Sequence, residues 1–137
     1  MPRQTRTRQV NAAQARAYVA KAEEYLAAAV AELEADRAVA STSLAIHAGI
    51  NAADAVTGMR LGQRAAGQDH DDAIALLRTA GPDGIAVAKE LGRLLPMKTR
   101  AEYEPDDIPK SDAAKAVERA RRTVEVARRL AAAQRAD

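Results

Sequence analysis

Two side chains in this sequence, His47 and His70, could exchange protons near neutral pH as general acids or bases. His70 closes the stretch Arg64-Ala-Ala-Gly-Gln-Asp-His70, so five residues separate an arginine from an imidazole. That pairing suits cleavage of RNA. The imidazole moves the 2′-hydroxyl proton while the guanidinium holds the phosphate and stabilises the charge of the phosphorane. Arg64 and His70 are therefore the candidate catalytic pair. The plainer alternative for His70 is a first-turn residue that positions its helix by hydrogen bonding. A second constellation lies in Ser41 to Val56, STSLAIHAGINAADAV, where Ser43, His47, Asn51 and Asp54 follow one another at i, i+4, i+8 and i+11. On a helix this spacing aligns them as one polar row. Such a row lies in a groove or at an interface, or its members are satisfied buried groups that fix helix register.

Other chemistries are excluded by what is missing. The chain has no Cys, so it has neither a disulfide frame nor a thiolate metal site. No Ser sits in the Gly-rich surroundings of a nucleophile elbow, and no Walker- or Rossmann-type glycine loop occurs. There is no Glu-x-x-His pair, and two imidazoles are too few for an ordinary catalytic zinc site. No metal and no cofactor is expected. The net charge of +2 does not announce a nucleic-acid binder.

The elements that must position these residues read as helices throughout. Alanine makes up about a quarter of the 137 residues, and Phe and Trp are absent. A core without large rings must be built from Leu, Val, Ile and Ala, and Ala favours helix over strand. The expected fold is all-α. Residues 1–10, with Arg3, Arg6 and Arg8, read as a disordered basic arm, and residues 11–137 as a single helical domain.

Asn11 can cap a first helix running to about Ala38, with Tyr18, Ala22, Tyr25, Leu26, Ala29, Val30 and Leu33 on its apolar line. The second helix, from Ser41 or Ser43 toward Leu61, carries the polar row. It also bears a flank of Ala45, Ala48, Gly49, Ala52 and Ala53 that lets another helix approach closely. A loop containing Gly62 and Gly67 leads to Asp69, the expected cap of a short third helix that stops at Gly81. Pro82-Asp83-Gly84 turns into a fourth helix ended by Pro96, and residues 97–110 read as a loop. Ser111 caps the last helix, whose buried line is Val117, Ala120, Val124, Ala127 and Ala131. Its arginines form two rows: Arg119 and Arg122 with Lys115, and Arg121, Arg128 and Arg135. They are either a solvated face or a surface for a polyanion or acidic partner. No apolar run approaches the ~20 residues of a membrane span. The basic start lacks the apolar segment of a secretory signal, so a cytoplasmic protein is expected.

This layout resembles the HEPN family. The resemblance rests on the small-residue second helix with Ala52-Ala53-Asp54-Ala55 and on His70 opening the third helix before Leu76-Leu77. The segment Lys98-Thr99-Arg100-Ala101-Glu102-Tyr103 before the last helix adds to it. It covers about residues 12–133. It implies an up-and-down bundle of four to five helices, usually a homodimer. It also implies a role in toxin–antitoxin, defence or RNA- and nucleotide-associated systems, with a cognate antitoxin or a nucleotidyltransferase as partner.

Active ribonucleases of that family share Arg-x(4–6)-His, which Arg64 and His70 match in spacing. Here the pair lies earlier in the chain than usual and Ala65 follows the arginine. Asn51 and His47 stand where many relatives have His and Tyr. The polar row Ser43, His47, Asn51 and Asp54, with Arg100 and Tyr103 of the resembling segment, is then the expected ligand or dimer surface. The reading that follows is a binding or adaptor module. The alternative is a metal-independent endoribonuclease toxin acting on RNA.

Overall fold

The computed structural model describes residues 6–67 and 69–136, with the side chains of 135 and 136 outside the described set. Helix α1 spans Ala12–Glu34. Asn11 caps it reciprocally. Its side chain accepts from the Gln14 amide at 2.7 Å, and the Gln14 carboxamide oxygen accepts from the Asn11 amide at 2.9 Å. Ala15, Val19, Ala22, Leu26 and Ala29 form the buried stripe, while Tyr18 and Tyr25 lie half-buried at its border.

The helix ends earlier than the expected Ala38 because Asp36 takes a left-handed backbone, φ 62°, which a short polar side chain tolerates. Helix α2, Ala38–Leu61, follows at once. It begins before Ser41 because that hydroxyl does not cap. It is buried and donates to the Ala29 carbonyl of α1 at 2.7 Å, tying the two helices together.

Helix α2 packs against α1 and against all four helices described below. The small residues Ala45, Ala48, Gly49, Ala52 and Ala53 are all buried. A Cβ on Gly49 would stand 2.9 Å from Leu94 Cδ1 and 3.5 Å from Leu91 Cδ1. The small-residue flank is therefore filled from within the subunit. Gly62 caps α2 in the left-handed conformation, φ 67°.

Two corrections follow. The expected loop after Gly62 contains strand β2, Gln63–Ala65, which pairs antiparallel with strand β1, Thr7–Gln9. Residues 7–10 of the expected arm are thus held to the domain, and Val10 is buried at 6% exposure. The Val10 amide donates to the Gly62 carbonyl at 2.8 Å. A sequence of arginines and glutamines carries no apolar alternation, so the pairing is visible only once Val10 is seen packed on α2. Residues 1–5 of that arm, Arg3 among them, lie outside the described residues.

Helix α3, His70–Leu77, is capped by Asp69, whose carboxylate accepts from the Asp71 amide at 2.9 Å. It stops short of Gly81. Helix α4, Gly81–Leu94, takes Pro82 into its first turn, where a missing amide hydrogen costs nothing. At Gly84 a Cβ would run into the Leu77 carbonyl, so the α3–α4 corner requires glycine there.

Residues Met97–Glu102, expected as loop, form a short helix α5. Pro96 sits at its start with φ −59°, a value that suits a helical first turn. Helix α6, Lys110–Ala136, buries Val117, Ala120, Val124, Ala127 and Ala131 as expected. The described chain is thus a bundle of six helices, more than the four to five expected, with a two-stranded ribbon. Helices α1, α2 and α6 pack on one another, and α4 covers α2 and α6. Among the described residues no helix is long and apolar enough to cross a membrane.

Candidate functional site

The polar row on α2 lies half-buried along its length, and its members meet different neighbours. Ser43 faces a depression at the α1–α2 corner that it shares with Val39 and Lys110. His47 lies between α1 and α5. Its ring centroid is 5.4 Å from that of Tyr25, and its Nε2 is 3.6 Å from Glu102 Oε1. Asn51 is spent on its own helix, where its Nδ2 donates to the His47 carbonyl at 2.8 Å. Asp54 faces the ribbon end. Burial pushes its pKa up to about 6, although the charges of Arg64 and Lys21 pull the other way.

Arg64 and His70 turn to separate partners. Arg64 stands on β2, donates from Nη1 to the Ala65 carbonyl at 3.1 Å, and acts electrostatically on Asp54. His70 is the first residue of α3, and its Nε2 lies 3.1 Å from Lys98 Nζ on α5. An ammonium can only donate, so Nε2 must be the bare nitrogen and Nδ1 carries the proton. Burial and then Lys98 depress the His70 pKa, and His47 adds to this. Asp69 and Glu102 oppose it. In this arrangement the His70 lone pair is already engaged. Use as a base requires Lys98 to let go.

Arg100 and Tyr103 do not join the α2 row. Arg100 Nη1 reaches Asp112 Oδ2 of α6 at 3.4 Å, and Tyr103, at the end of α5, is 74% exposed. The same helix instead supplies two residues that sequence reasoning passed over, Lys98 to His70 and Glu102 to His47. They are four apart, so one short helix aims both at the histidines. That spacing carries no message while the segment is read as a loop. Tyr25 was likewise visible only as part of the apolar line of α1, and Lys21 only as a charge on another of its faces.

The arginine rows of α6 are largely neutralised. Arg119 and Arg122 reach the buried carboxylate of Glu90, 8% exposed, at 3.4 and 3.5 Å. Arg121 pairs with Glu118, and Arg128 with Glu23 and Glu125. The Arg135 side chain lies outside the described set. Among the described residues no three His, Asp or Glu side chains converge as a metal-binding group. The chain matches no protein-family model and no curated protein.

Proposed function

We propose that this chain is a HEPN-like binding or adaptor module. It acts as a homodimer in a toxin–antitoxin, defence or RNA- and nucleotide-associated system, and it does not cut RNA. The observation that carries this reading is the 3.1 Å contact between Lys98 Nζ and His70 Nε2. It engages the one lone pair that a general base at this position would use. Support also comes from the packing of α2. Its small flank is occupied inside the subunit by Leu91 and Leu94, which leaves the polar side with His47, Tyr25 and Glu102 as the face for a second copy or a cognate protein.

The runner-up is a metal-independent endoribonuclease using Arg64 and His70. It is favoured by the cations on this side of the bundle, with Lys98 beside His70 and with Arg64 and Lys21 acting on Asp54 of α2. The deciding experiment incubates purified protein with RNA without added metal, beside His70→Ala, with light scattering to give the mass in solution. The binding reading expects a dimer and intact RNA. Cleavage that His70→Ala abolishes overturns it in favour of the nuclease, and a monomer removes the dimer from the proposal.

A further inference from the structure

The pairing of β1 with β2 sets Arg8 directly opposite Arg64. Opposed residues of an antiparallel pair project from the same face. Like charges so placed repel and weaken the ribbon. Both arginines line a cavity of about 380 Å³ between the ribbon and the start of α1, and α1 adds Lys21 and the half-buried Tyr18. That volume is in the range of small-molecule sites. None of the three cations is within ion-pair distance of a carboxylate among the described residues, whereas the arginines of α6 from 119 to 129 each have one. Arg64 and Lys21 act electrostatically on Asp54, which does not line the cavity and whose burial resists its ionisation.

We propose that this cavity is a binding site for a small phosphate monoester. Arg8, Arg64 and Lys21 hold the phosphate dianion, and the ring of Tyr18 supports an apolar or cyclic remainder. Two guanidiniums from facing strands can each present a planar pair of donors to one phosphate, which a single surface lysine cannot do. Binding relieves the Arg8–Arg64 repulsion, so the ligand also strengthens the ribbon. The site is independent of the dimer or partner face proposed above and involves neither His47 nor His70.

The test is calorimetric titration of the full chain with phenyl phosphate, inorganic phosphate and a single-stranded RNA oligonucleotide, at fixed ionic strength. Phenyl phosphate is expected to bind at least tenfold more tightly than inorganic phosphate. Arg64→Gln and Lys21→Gln are each expected to weaken it about tenfold or more, the loss expected for one charge-assisted hydrogen-bonded partner. Tyr18→Leu is expected to abolish the preference for the phenyl ester, and Arg122→Gln to change nothing. Thermal unfolding of each variant confirms that it is folded, and Lys21→Gln on the exposed side of α1 keeps the test valid if Arg64→Gln loosens the ribbon. Equal weak binding of the two phosphates, binding unaffected by either cation variant, or no binding overturns the proposal. So does tight RNA binding with which phenyl phosphate does not compete. Failure of RNA cleavage leaves this result untouched, so the two proposals fall separately.

Discussion

Asp54→Asn offers a stability measurement with a defined sign. In the folded chain the Asp54 pKa is about 6, against 3.8 for an exposed aspartate. The folded state therefore keeps a proton that the unfolded state sheds between about pH 4 and pH 6. Stability falls as pH rises through that window, because the unfolded state binds fewer protons there. The difference of about two pH units corresponds to up to about 3 kcal/mol once Asp54 is ionised in both states. About 2 kcal/mol of this develops between pH 4.5 and pH 7.5. Asparagine has nearly the same shape and does not ionise.

The variant should thus gain on the wild type by about 2 kcal/mol between those two pH values. In urea unfolding that is a relative midpoint shift on the order of 1 M. Measuring both proteins at both pH values cancels the other titrating groups. A difference between variant and wild type that is the same at pH 4.5 and 7.5 refutes the reasoning. So does a variant that loses ground at the higher pH. Arg64→Gln should widen the wild-type loss, since it removes a charge that favours the ionised carboxylate.

Three other outcomes follow from the packing and the charges. The His70 imidazole should titrate below the ordinary histidine value by NMR, and Lys98→Met should raise it. The neutral form of His70 favours folding above the unfolded-state pKa of about 6.5, and that contribution is lost as pH falls through the depressed value. Gly84→Ala should destabilise by about 3 kcal/mol or more in chemical denaturation, because the new methyl meets the Leu77 carbonyl and only separation of α3 from α4 admits it. Gly49→Ala should cost about 1 kcal/mol or less, because it meets chiefly the tip of Leu94 and gains up to about 1 kcal/mol of helix propensity.

Local composition and periodicity determined the helical class of this protein and much of its core. Alanine-rich stretches with apolar residues every three or four positions can bury a face only as helices. The Asn11 and Asp69 caps, the Gly62 stop and the buried line of α6 from Val117 to Ala131 follow from interactions within a few residues of chain. Spacing along α2 likewise placed Ser43, His47, Asn51 and Asp54 on one side.

Tertiary structure decided what that row meets. Lys98 lies 28 positions from His70, and Glu102 lies 55 from His47. Their approach depends on the path of the chain through α3, α4 and α5. The ribbon is a second case. Arg8 and Arg64 carry no pairing signal in their own segments, and only Val10 seated on α2 and the Gly62 carbonyl bring them face to face. Chemistry at this surface is set by electrostatics between groups distant in sequence. Coulomb energy depends on separation in space, and separation along the chain does not determine it.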